Sequence, residues 1–229
     1  MPTRPRVRYA IFAVLLGATL AGCTTPDATG QVKAAGSTTS GEAPSSAPKT
    51  TEKPYLTTTP TLEVSDQTVK PGTKLKFGEQ AIIPFYSYYA KGVVGLTVTV
   101  ESVKAPDADI DELPLKEEDK AKLRGKYFFF VREKLTNVDG INLAEVTTPI
   151  LTASTKSGGF PGTLLGMGKH DVTGCEDQSF APKDFSTKGA VFEGCRLYFG
   201  VASDPITSLA YTNQPYESAA SRAVTWRNK

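Results

Sequence analysis

Leu96, Val98 and Val100 alternate with Thr97, Thr99 and Glu101. A period of two puts one set of side chains on a buried face and the other in water, so this stretch is satisfied as a strand with one apolar side. Tyr127, Phe128, Phe129, Phe130 and Val131 are apolar on both faces before the run passes into Arg132, Lys134 and Thr136. That is the pattern of a central strand covered above and below. A third run sets Val191, Cys195, Leu197, Phe199 and Val201 in one parity, which predicts that Cys195 points inward with them. Shorter strands are expected over residues 75–77, 81–86, 145–153, 208–211 and 221–226, with Gly, Pro, Asn and Asp in the gaps. Strands of this number and spacing predict an all-β fold, an antiparallel β-sandwich whose two sheets share one core. One short helical insertion is expected over residues 115–123, with Glu117, Glu118 and Asp119 early and Lys120, Lys122 and Arg124 late, the charge order that suits a helix dipole. No internal repeat is present.

The amino terminus has a different character. Arg4, Arg6 and Arg8 precede an apolar stretch from Tyr9 to Leu20 that is too short for a stable transmembrane helix, and so reads as a secretory signal. It ends in Leu20-Ala21-Gly22-Cys23, which looks like a bacterial lipobox: a branched residue, two small ones, and a cysteine that becomes the lipidated N-terminus. The arginines are separated rather than paired, which favours the general secretory route over the twin-arginine one. Residues 1–22 are therefore expected to be a lipoprotein signal peptide. Each buried methylene contributes about 0.8 kcal/mol to membrane attachment, so two or three acyl chains on Cys23 would hold the protein firmly. The domain would then face the extracellular or cell-wall side.

Removal of residues 1–22 takes away Arg4, Arg6 and Arg8 and no acid, leaving 23 basic against 24 acidic side chains, a net charge of −1. No electrostatic footprint for nucleic acid remains. With Cys23 committed to lipid, Cys175 and Cys195 form an even pair in an oxidising compartment, and a disulfide is the natural reading. Free thiols or a metal site are the alternative, but neither CxxC spacing nor a histidine cluster accompanies the pair.

Residues 23–60 are dominated by Thr, Ser, Ala, Gly, Pro and Lys, with Val32, Tyr55 and Leu56 as the only sizeable apolar side chains after the cysteine. Such composition cannot offset the entropy of ordering its backbone, and predicts a disordered tether. As a flexible coil it would span roughly 30–37 Å, more where proline stiffens it. Residues 61–229 suit a single domain.

The domain resembles the telokin-like, immunoglobulin-like domain of unknown function found in lipoproteins of actinobacteria and other Gram-positive bacteria, a fold shared by a small secreted immunoprotective antigen of mycobacteria. The residues that carry the resemblance are Phe77-Gly78-Glu79-Gln80-Ala81 at the opening, the strand Leu96 to Val100, and Tyr127 to Leu135 leading to Asn137. Gly189-Ala190-Val191, Cys195 to Phe199 and a closing strand that ends at Trp226 complete it. The acidic insertion between Pro106 and Lys122 and the glycine-rich loop from Gly158 to Gly168 depart from the pattern. The resemblance implies an immunoglobulin-like sandwich in a cell-envelope setting and brings no catalytic residue with it.

Chemistry is thinly represented. The single histidine, His170, is followed by Asp171 and, further on, Cys175, Glu176 and Asp177, but no GxSxG elbow or HExxH helix accompanies it. A solvent-facing loop histidine is the plain reading, and a hydrolase using His170 and its acidic neighbours is the sharper one. Met1 and Met167 are the only methionines, so soft ligands for copper are scarce. Asp107, Asp109, Asp111 and Glu118 match positions 1, 3, 5 and 12 of a calcium loop. Glu112 stands where the loop's sharp turn wants glycine, and Pro114 lacks a backbone donor, so a solvated acidic turn is the alternative. Phe85, Tyr86, Tyr88 and Tyr89 cluster beside Lys91 and Gly92, either as a sticky loop surface for a partner or as core and edge packing.

No convergent catalytic set, metal site or cofactor motif emerges. The expectation is a non-enzymatic, lipid-tethered sandwich that binds an envelope protein or glycan. The rivals are a secreted hydrolase and a small solute-binding lipoprotein of a transporter, an architecture that usually needs two lobes and for which one such domain is small.

Overall fold

The computed structural model describes residues 55–164, 171–176, 180–217 and 221–228. The strands are β1 (Lys74–Lys76), β2 (Gln80–Tyr86), β3 (Lys91–Lys104), β4 (Tyr127–Asn137), β5 (Thr152–Thr155), β6 (Gly162–Thr163), β7 (Asp171–Val172), β8 (Cys175–Glu176), β9 (Val191–Gly200), β10 (Ile206–Tyr211) and β11 (Val224–Arg227). Helices α1 (Asp107–Glu112) and α2 (Glu117–Leu123) lie between β3 and β4. A five-stranded sheet in the order β2-β3-β4-β9-β6 faces a four-stranded sheet in the order β1-β11-β10-β5, and β7 and β8 form a separate hairpin. The fold is an all-β sandwich with a short helical insertion, as the alternation predicts. Within it β1 pairs with β11 in parallel.

The register of β3 on β4 sets Val98 opposite Glu133 and Val100 opposite Val131. Even positions of β3 and odd positions of β4 therefore share the inner face, where Leu96, Val98, Phe129, Val131 and Leu135 meet Leu209, Tyr211, Val224 and Trp226 of the other sheet. Trp226 is fully buried, and its indole N–H donates to the Glu79 carbonyl at 2.8 Å, so the largest core side chain leaves no polar atom unsatisfied.

The outer face of the five-stranded sheet is covered as well. Phe128, Phe130 and Leu197 are buried there against Ile110 of α1, Leu123 of α2, and Val172 and Cys175 of the β7–β8 hairpin. This explains the two-sided apolarity of β4, and it corrects the parity drawn for β9. Cys195, Leu197 and Phe199 do share a face, but it is this outer one; Val191 and Val201, assigned with them, are exposed at the strand's ends. The inner face of β9 is formed by Phe192, Gly194, Arg196 and Tyr198, whose register partners on β4 are Leu135, Glu133, Val131 and Phe129.

The strand expected over residues 145–153 is confined to β5, which begins at Thr152. Glu145 adopts a left-handed φ of 63° and Pro149 has no amide proton, so the residues before Thr152 form an irregular wall along the side of the sandwich instead. The six residues of α1 fall in a segment read as an acidic turn.

Candidate functional site

The turn between β2 and β3 is organised by one hydroxyl. Ser87, nearly fully buried, accepts from the N–H groups of Tyr89 at 3.0 Å and Ala90 at 3.1 Å, and donates to the Asn142 carbonyl at 2.6 Å. Its neighbour Tyr88 is thereby carried outward. Across from it, the Glu145 N–H donates to the Ala181 carbonyl at 3.1 Å and the Ala181 N–H to the Val146 carbonyl at 2.8 Å, so the wall is bridged to the segment that bears Phe180. The Tyr89 hydroxyl donates to Glu145 Oε2 at 3.2 Å. Its pKa is pushed up to about 12 by hydrogen bonding to Tyr55, by partial desolvation and by the Glu145 carboxylate.

Between these segments lies a groove of about 360 Å³, floored by Phe85, Val146 and Pro149. Its rim carries Tyr86, Tyr88, Ile150 and Phe180, which are 43, 65, 70 and 63 % exposed. Single exposed apolar side chains are ordinary, whereas here four gather around one concavity. A second cavity of about 450 Å³ adjoins it across Phe85 and Tyr86 and is bounded by Leu62, Tyr211 and Glu217. Tyr55 and Leu56, assigned to the tether from composition, lie at this same end: Tyr55 stacks on Tyr89 with ring centroids 5.1 Å apart, and the Leu56 N–H donates to the Tyr88 carbonyl at 2.7 Å.

Under the wall lies a buried carboxyl group. Glu133 is 1 % exposed on the inner face of β4, with Oε1 at 3.6 Å from Arg196 Nε, an ion-pair distance that leaves neither carboxylate oxygen with a hydrogen-bond partner among the described residues. Burial pushes its carboxyl up to about 7, against the pull of Arg196 and of the neighbouring Thr148 hydroxyl. A side chain at Gly194 would collide with Thr148, so glycine there is what lets the wall approach the sheet.

The other sequence-derived candidates separate. Cys175 and Cys195 are joined in a disulfide with Cα atoms 5.3 Å apart, which ties the β7–β8 hairpin to β9. Asp107, Asp109 and Asp111 stand on α1 and Glu118 on α2. Arg124 holds Asp107 at 3.3 Å and Asp111 at 2.6 Å, while Asp109 accepts from the Thr173 hydroxyl at 3.1 Å and Glu118 is exposed. Among the described residues no three His, Cys, Asp or Glu side chains gather as metal ligands, and no helix is long and apolar enough to cross a membrane. Cys23, His170 and Asp177 lie outside the described residues. Of the groove, Phe85, Tyr86 and Tyr88 were visible as an aromatic cluster; Ile150 and Phe180 were not. Glu133 had a signal, a charge in the apolar parity of Phe129, Val131 and Leu135. Compared with models of protein families, with curated proteins and with solved structures, the chain finds no match.

Proposed function

We propose that the protein is a lipid-anchored module of the cell envelope, held to the membrane by acylated Cys23 with its domain on the extracellular or cell-wall side, and that it works by binding rather than by catalysis. The observation that carries this reading is the groove with its four exposed apolar side chains. A folded chain that leaves such a patch open stabilises itself less than it can, and apolar patches of this kind recur where partners dock. The lipobox-like Leu20-Ala21-Gly22-Cys23 and the polar tether supply the setting in which the partner is met.

The test is capture from envelope extracts by the full chain and by an Ile150→Asp, Phe180→Asp double variant. Both positions are exposed, so the variant is expected to melt as the parent does while losing capture at least tenfold. Equal capture by the two proteins contradicts a groove-mediated function.

A further inference from the structure

The groove is bounded by backbone as well as by side chains. Just past β2 the Ser87 N–H donates across the turn to the Ala90 carbonyl at 2.8 Å, so by antiparallel alternation the next pair, Tyr86 and Lys91, points its backbone groups away from each other. The same phase holds further along, where the Ile82 carbonyl faces outward and accepts from the Val69 N–H at 2.9 Å. Pro84 follows with no donor, and Tyr86 then turns its own N–H and carbonyl to the open edge beside the groove. On the opposite side, none of the N–H groups of Thr147, Thr148 and Ile150 has a backbone partner among the described residues. Tyr86 on one side and residues 147–150 on the other therefore border the apolar trough with backbone groups that lack a backbone partner among the described residues.

A lipid chain would fill the trough but satisfy no amide. An extended peptide does both: its main chain pairs with an open edge, and every second side chain points the same way. Charge narrows the class further. Among the described residues Glu145 is the one charged side chain on the lining, and Glu217 borders the adjoining cavity, so the complement is a cationic side chain rather than an acidic one.

We propose that the groove receives an extended peptide segment of a partner protein, laid between the Tyr86 edge and the wall at residues 147–150. Its alternate apolar side chains fall among Tyr88, Ile150 and Phe180, and a lysine or arginine meets Glu145. This rests on the groove being the binding surface. Lipid and glycan are the competing occupants.

The experiment pans a random-peptide display library on the full chain. Enriched sequences are expected to alternate apolar residues with polar ones beside a lysine or arginine. A labelled copy of one is expected to bind roughly tenfold more weakly when its alternate amides are N-methylated, and to lose a similar factor against Glu145→Lys, with binding restored when the peptide's cation is changed to glutamate. Enrichment of peptides that ignore Ile150 and Phe180, or binding indifferent to N-methylation, overturns the proposal. So does saturable binding of phosphatidylcholine–phosphatidylglycerol vesicles or of cell-wall glycan fragments that Ile150→Asp abolishes while no peptide is enriched. Should no peptide be enriched while the Ile150→Asp, Phe180→Asp variant still loses envelope capture, the groove stands and the peptide fails; should capture survive too, the groove itself is not the surface.

Discussion

Two apolar surfaces of this molecule are treated in opposite ways. On the outer face of the five-stranded sheet, Phe128, Phe130 and Leu197 are roofed by α1, α2 and the β7–β8 hairpin, and the roof is held by the Cys175–Cys195 bond. Arg132 adds to the clasp by lying over the Phe130 ring at 5.8 Å and donating to the Gly174 carbonyl. At the groove, Tyr88, Ile150 and Phe180 are left in water although the wall behind them is anchored by Glu145 and Ala181. The chain has enough residues to cover an apolar face and does so in one place. Among the described residues nothing covers the other, and that exposure is the basis for proposing a partner there.

Substitutions should respond to the two surfaces in opposite ways. Removing the roof costs most: Leu123→Ala, at the last residue of α2 and 2 % exposed, is expected to lower unfolding stability by about 3 kcal/mol in urea titration. Cys175→Ser with Cys195→Ser releases a closure spanning 20 residues and is expected to cost about 2–4 kcal/mol, read by the same titration. If both changes fell within about 0.5 kcal/mol of the parent, the roof would be an ornament and the contrast with the groove would vanish.

The buried carboxyl under the wall comes next. Glu133 is held protonated to about 7 in the folded protein, against 4.5 for an unperturbed carboxyl. Its contribution to stability is complete below the unfolded value and is lost as pH rises through the folded one. Glu133→Gln should therefore flatten the fall in melting temperature between about pH 5 and pH 8, by a few degrees at the upper end. The difference between parent and variant isolates this group from Asp204, whose carboxyl is held below its usual range by the Ser157 N–H and which contributes in the opposite sense at acid pH. Identical slopes in the two proteins would mean that the wall does not rest on an ionising group. Smaller still is the effect of calcium. With Asp107 and Asp111 committed to Arg124, millimolar calcium is expected to leave the melting temperature unchanged, and a clear rise would reopen the acidic segment as a site.

What the sequence made legible follows from where periodicity is strong. Alternation located β3, two-sided apolarity marked β4 as central, and charge order placed α2, because each of these signals is local. The wall misled because Val146, Ile150 and Leu151 look like strand residues, while the left-handed Glu145 and the donorless Pro149 prevent pairing. Helix α1 is only six residues long, too short for a period of 3.6 to declare itself in an acidic run. Half of the groove was legible: Tyr86 and Tyr88 stand together in the chain, whereas Ile150 reads as part of a strand and Phe180 as a lone aromatic, and both meet the tyrosines only through the tertiary fold. The disulfide was legible from cysteine parity, but its role as a clamp on an outer core was not, since nothing in the spacing says which face of β9 is roofed.

The most direct measurement is site-specific photocrosslinking in living cells. A photoreactive side chain is placed at Tyr88, on the groove's rim, and in a second strain at Thr99, exposed on the outer face of β3. A discrete adduct from position 88, absent from position 99 and lost when Ile150 and Phe180 are changed to aspartate, is the expected result. Adducts of equal yield from both positions, or none from position 88, would contradict the groove as the working surface of the protein.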